Sequence, residues 1–209
     1  MERLLKAGLY LKPKQFEFHH ETIKYLGLVI STKGVSMDPD KIDTVRNWSP
    51  EKKTAHGRWN NLLQVPQFVG FCNYYRSFIT GYSDVSEPQT RLIKKYVPFE
   101  WLEVQQRSFE EMVVKFTIAP ILRHFDHSRE VIIETDESDY VSAGVLSQRD
   151  DEAILHPVAY FAKKHSSVEC NYDIHDKELM SITKELEEWR PECKGAEHTF
   201  QLKTDHKHF

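Results

Sequence analysis

The chain has 209 residues, 40% hydrophobic and 29% charged, with a net charge of −4, and no apolar run approaches the ~18 residues of a membrane span. Three cysteines (Cys72, Cys170, Cys193) are too few and too scattered for a disulfide framework, and none of the eleven histidines stands in a zinc spacing with cysteine. The charge is split: residues 1–95 carry 15 Lys+Arg against 9 Asp+Glu, and residues 96–209 carry 13 against 23. A basic half can follow a phosphate backbone, whereas an acidic half can meet nucleic acid only if its carboxylates hold cations. The first twenty residues do not resemble a signal peptide, so a cytoplasmic or nuclear setting is expected.

In chain order, residues 15–31 read as two short strands around a polar turn, a hairpin ended by Gly34. Asp38 followed by Pro39 signals the start of a short helix running to about Trp48. Residues 49–61 are polar and turn-rich. Phe68, Val69, Cys72, Tyr75 and Ile79 recur at helical spacing. Ser83 or Asp84 is a candidate cap for a further helix to Lys94-Lys95, in which Pro88 would be costly. After a linker at 96–101, a helix is expected from Glu103 to Thr117 with Phe109, Met112, Val113 and Phe116 on one face.

From Glu130 the pattern changes to strands: 131–136, 142–148 and 156–162, with a turn at 149–152. A long helix from Asp173 to Arg190 and a strand at 199–205 follow. The order β-β-β-α-β permits a right-handed crossover, which places strand 199–205 parallel to strand 131–136. The expected fold class is therefore mixed, α+β giving way to α/β.

The strands at 131–136 and 199–205 end alike, in E-T-D and K-T-D. Parallel neighbours would bring Asp136 and Asp205 to the carboxyl edge of the sheet, where open α/β sheets place their sites. The helix between them presents Ile182, Leu186 and Trp189 as its core stripe. Glu178 lies at the edge of that stripe, and Glu185 falls at nearly the same angle two turns later. Height favours Glu178, because an early helical position sits nearer the strand ends. Three converging carboxylates repel unless cations lie between them. Magnesium suits such oxygen donors, and a pair of such ions can activate water for phosphodiester cleavage. Glu134, Glu137 and Asp139 read as solvated neighbours, with Asp139 also a candidate turn cap.

Many short stretches, in order, resemble the polyproteins of gypsy-class long-terminal-repeat retrotransposons, from the end of reverse transcriptase into ribonuclease H. They include L-K-P-K-Q-F-E-F, Y-L-G-L-V-I-S, D-P-D-K-I, F-V-G-F-C-N-Y-Y-R-S-F-I, E-T-D-E-S-D, G-V-L-S-Q, H-P-V-A-Y-F-A-K-K, D-K-E-L and T-D-H-K-H-F. The resemblance implies that residues 1–37 are the end of the polymerase palm with a primer-holding hairpin. It makes 38–95 a helical thumb, 96–127 a connection, and 128–209 a ribonuclease H-like domain that stops four residues past Asp205. It implies metal-dependent cleavage of RNA in RNA–DNA hybrids with two magnesium or manganese ions. The metal ligands carried over are Asp136, Glu178 and Asp205, and the resemblance prefers Glu178 to Glu185.

The partners it implies are an RNA–DNA hybrid or template–primer duplex and the remainder of the polyprotein. Candidate phosphate contacts are Lys12, Lys14, Arg76, Lys94 and Lys95; Tyr75, Trp48, Trp101 and Trp189 read as packing residues. The aromatic-x-Asp-Asp turn of a polymerase site occurs nowhere in the sequence. Two functions compete: a ribonuclease H-type nuclease, and a catalytically inert remnant that binds nucleic acid.

Overall fold

The computed structural model describes residues 3, 6–8, 19–48, 64–194 and 197–204. Lys12, Lys14, Asp205 and the strand expected near 15–18 lie outside these residues. Strands β1 (Thr22–Tyr25), β2 (Leu28–Ser31) and β3 (Gly34–Met37) form an antiparallel sheet in that order. The β1–β2 turn is Leu26-Gly27, with φ of 49° and 80°, the paired left-handed geometry of a tight hairpin.

Gly34 does not end the hairpin, as the sequence suggested, but opens a third strand. Its φ is 140°, and the Leu122 carbonyl stands where a side chain would project. That close approach lets Val35 and Leu122 exchange backbone hydrogen bonds of 2.7 and 2.9 Å.

Helix α1 (Pro39–Arg46) starts as its sequence directs, with the Asp38 carboxylate accepting from the Asp40 N–H at 3.1 Å. Helix α2 (Gln64–Tyr74) holds Pro66 in its first turn, where the missing N–H costs nothing. A 3₁₀ turn (Arg76–Phe78) leads to α3 (Tyr82–Leu92). Neither Ser83 nor Asp84 caps α3; it follows Gly81, whose φ is 64°, and runs through Pro88. The proline removes one hydrogen bond, but Val85, Gln89 and Leu92 are buried on this helix, so tertiary packing holds it. Helix α4 (Glu103–Thr117) matches its sequence pattern.

These helices enclose a core that includes Phe68, Phe78, Ile79, Tyr82, Trp101, Met112 and Phe116. Trp48 closes one side, edge-on to Phe68 at 5.3 Å between ring centroids.

The second half is a four-stranded sheet of β4 (Val131–Glu137), β5 (Val141–Arg149), β6 (Leu155–Lys164) and β7 (Gln201–Thr204), in the order β6-β5-β4-β7. Strand β7 pairs parallel to β4, as the crossover argument requires, with Thr135 opposite Thr204. Helix α5 (Ile174–Glu188) makes the crossover, and a short α6 (Arg190–Lys194) follows. Val131, Ile133, Leu146, Phe161 and Trp189 form the core of this half. Strand β6 is a wall common to both cores: Phe161 joins the second core, while Tyr160 and Ala162 pack against the first.

The inner stripe of α5 is not the one expected. Ile182 and Leu186 are only half-buried, and the buried positions are Lys177, Glu178, Ser181 and Glu185, followed by Trp189. The helix turns a polar row toward the sheet, where the Glu185 carboxyl packs over Gly144. Among the described residues no helix is long and apolar enough to cross a membrane.

Candidate functional site

The carboxyl ends of β4 and β7 lie side by side, and the first turns of α5 pass over them. A cavity of about 340 Å³ opens there, lined by Thr135, Asp136, Glu137, Lys177, Glu178 and Thr204, among others. The structure thus brings Asp136 and Glu178 to one cavity. Asp136 is exposed at the strand end, whereas Glu178 is 8% exposed. Asp205 follows Thr204 directly in sequence and lies outside the described residues. Among the described residues no three His, Cys, Asp or Glu side chains are grouped to hold a metal ion.

The electrostatics of the cavity come from crowded acid. Glu137 is not a solvated neighbour as the sequence suggested. Burial, and then the charge of Glu178, push its carboxyl up to about 7. Glu185, with no exposed surface, is pushed up to about 8, by burial first and also by Asp136 and Glu137. Asp84 of α3 is raised too, by burial and then by the charge of Asp136.

Cations answer only in part. Lys177 lines the cavity, and its ammonium lies 3.3 Å from Asp139. Glu134 is held by Lys203 at 3.2 Å, away from this cluster. Ser138, not Asp139, closes the β4–β5 turn: its hydroxyl accepts from the Val141 N–H at 3.1 Å. Oxygen donors with excess negative charge around one small cavity are of the type that holds divalent cations.

Of the expected phosphate-contacting residues, the described ones, Arg76, Lys94 and Lys95, do not line this cavity. Arg76 faces the Glu188 carboxylate of α5 at 3.9 Å. Lys94 lines a separate cavity of about 210 Å³ with Asn73, Arg91 and Lys164. The Lys95 ammonium lies 5.0 Å from the centroid of the Tyr96 ring. Tyr75, Trp101 and Trp189 are buried, in keeping with packing roles.

A larger cavity of about 630 Å³ lies beyond the opposite end of the sheet, near Arg123, Arg129, Asp150 and His156. Arg129 there pairs with Asp126 and Asp151, and the His156 ring meets the Asp150 carboxylate at 2.7 Å. Sequence reasoning missed Lys177 and Glu137. Lys177 could have been found as the helical neighbour of Glu178; Glu137 gives no periodic signal at a strand end.

Residues 101–202 match the model of an RNase H-like domain found in reverse transcriptase. Over 207 residues, 99% of the chain, the sequence is 34% identical to the Tf2-3 and Tf2-4 transposon polyproteins of Schizosaccharomyces pombe. The chain spans about 15% of the length of these relatives. Among solved structures, a foamy viral protease-reverse transcriptase in complex with double-stranded DNA covers 99% of the chain and is itself covered over 41%, with a TM-score of 0.74 at 18% identity. The foamy viral protease-reverse transcriptase in complex with an RNA/DNA hybrid covers 89% and is covered over 24%, with a TM-score of 0.69 at 18% identity. These likenesses establish a shared fold.

Proposed function

The chain belongs to the reverse transcriptase and ribonuclease H region of gypsy-class retrotransposon polyproteins, and from that premise we propose that it is a metal-dependent nuclease unit acting on the RNA strand of RNA–DNA hybrids. The observation that carries this reading is the meeting of Asp136 and Glu178 at one cavity on the carboxyl edge of the parallel pair β4–β7. Asp205 is assigned as the third ligand, one residue beyond the strand pair Thr135–Thr204.

Magnesium or manganese bound there would supply the chemistry of an activated water and of charge stabilisation at the leaving oxygen. The chain's own groups supply the rest. Asp136, Glu178 and Asp205 would hold the cations, and Glu137 adds an acid whose burial favours its protonated form. Lys177, at the cavity wall and paired with Asp139, adds a positive charge beside the carboxylates. The helices of residues 38–95 serve as a thumb that grips the duplex, with Arg76, Lys94 and Lys95 toward its backbone and Lys12 and Lys14 as further phosphate contacts. Residues 1–37 and 96–127 are assigned to the palm end and the connection.

The test is cleavage of a labelled RNA–DNA hybrid by the purified chain with magnesium or manganese, beside Asp136→Asn and an EDTA control. Cutting that needs metal and is lost in the variant supports the assignment. Equal cutting by parent and variant removes it, and a folded chain that binds hybrid in a salt-sensitive way without cutting is a binding module instead.

A further inference from the structure

Glu185 is a buried carboxyl group for which the proposed chemistry has no use. It has no exposed surface. It reaches the sheet because β5 carries a glycine opposite it: a Cβ at Gly144 would stand 2.5 Å from Oε1 and 2.8 Å from Oε2. The Ser181 hydroxyl, one turn earlier on α5, donates to Oε1 at 3.4 Å. Oε2 has no hydrogen-bond partner among the described residues.

The charged groups that act on Glu185 from β4 are Asp136 and Glu137, both acids. β5 meets it with Gly144, which carries no charge. On α5 itself, Lys184 is committed to Glu169 at 2.8 Å and Lys177 to Asp139 at 3.3 Å. A carboxylate in such surroundings would be an uncompensated buried charge, which proteins avoid by keeping the group neutral.

We propose that Glu185 is a proton-holding acid packed over Gly144, whose strand partner Thr135 lines the carboxylate cavity, and that a divalent cation entering the cavity drives that proton out. The inference rests on the cation-binding reading of Asp136 and Glu178. Two conditions keep the proton on Glu185: enclosure, and the negative charge on β4. A cation at Asp136 cancels the second. The O–H bond of the Glu185 carboxyl then breaks, the proton passes to solvent buffer, and a carboxylate remains whose charge favours a cation in the cavity. No other bond changes. Linkage makes the effect reciprocal, so cation affinity rises with pH in proportion to the protons released. Glu185 is thus a positioning group for cation binding and touches no reacting atom.

The experiment is isothermal titration of magnesium or manganese ions into the full chain at pH 7, in two buffers of different ionisation heat, for the parent and Glu185→Gln. The parent is expected to release more protons per bound cation than the variant, by an amount approaching one. The infrared spectrum of the cation-free parent is expected to hold the carbonyl stretch of a buried carboxylic acid that fades on loading and is missing from Glu185→Gln. Glu137→Gln, which removes the other raised acid, is expected to keep that band. Glu185→Ala repeats the comparison if the glutamine variant does not fold. Cation binding with equal proton release in parent and variant overturns the proton link and leaves the nuclease reading standing. No cation binding by the folded parent overturns both.

Discussion

Thr135 and Thr204 stand opposite each other across the parallel strands β4 and β7, and each is followed in sequence by an aspartate. Parallel strands carry paired residues forward at matched heights, which is the basis for proposing Asp205 as a ligand together with Asp136. Glu178→Gln and Asp205→Asn are each expected to slow metal-dependent cleavage of a hybrid by at least about a hundredfold, since even the outer partners of metal ligands cost 10–100-fold. Single-turnover rates on variants with parent-like circular dichroism would measure this. An Asp205→Asn chain that cuts like the parent would move the site away from the end of β7.

The buried acids give stability a definite pH slope. Glu185 is held up at about 8 and Glu137 at about 7 in the folded chain, both above the ordinary range of an unfolded glutamate. Between these limits the folded state keeps protons that the unfolded state has lost. Stability from these two groups is therefore full below about pH 4.5 and declines as pH rises toward 8. Thermal midpoints measured across that window should fall more steeply for the parent than for Glu185→Gln. A variant with the parent's slope would place Glu185 in water.

The ion pair of Glu169 and Lys184 has the opposite sign. The Lys184 ammonium, and then the Ser166 N–H, draw the Glu169 carboxyl down to about 2. Its contribution is complete above about pH 4.5 and is lost as pH falls toward 2. Glu169→Gln should be less stable than the parent at neutral pH and should converge with it in acid. Denaturant midpoints at pH 7 and pH 3 would show the convergence.

Gly144→Ala places a methyl group where the Glu185 carboxyl lies. The end of a glutamate is flexible, but here it is enclosed, so the clash is expected to cost about 1–3 kcal/mol. Shortening the facing residue should relieve it. The Gly144→Ala, Glu185→Ala double variant is expected to be more stable than the sum of its single changes by about 0.5–3 kcal/mol. Additive urea midpoints would mean that the two positions do not meet.

Much of the second half was legible because strands and crossover follow from local pattern. The T-D endings, the β-β-β-α-β order and an early carboxylate on the helix are enough to place Asp136 and Glu178 together. The polar inner row of α5 was not legible. Ile182 and Leu186 look like the buried stripe, and only the presence of Gly144 on another strand explains why Glu185 lies inside instead. Gly34 reads as a stop, yet it opens β3 because its missing side chain admits the Leu122 carbonyl, 88 residues on. Pro88 reads as a breaker, and the helix continues because Gln89 and Leu92 pack beyond it. In each case the deciding partner is remote in sequence.

The shared strand β6 has a consequence for how the chain comes apart. Tyr160 and Ala162 complete the helical core while Phe161, between them, completes the sheet core. Peeling β6 away exposes apolar surface on both sides at once, and Lys164 adds a 2.7 Å tie to Glu87 of α3. Neither core can melt alone without stripping the other of a wall. Unfolding energy is pooled across both halves, so heating should produce a single heat-capacity peak, where two independent units would give two.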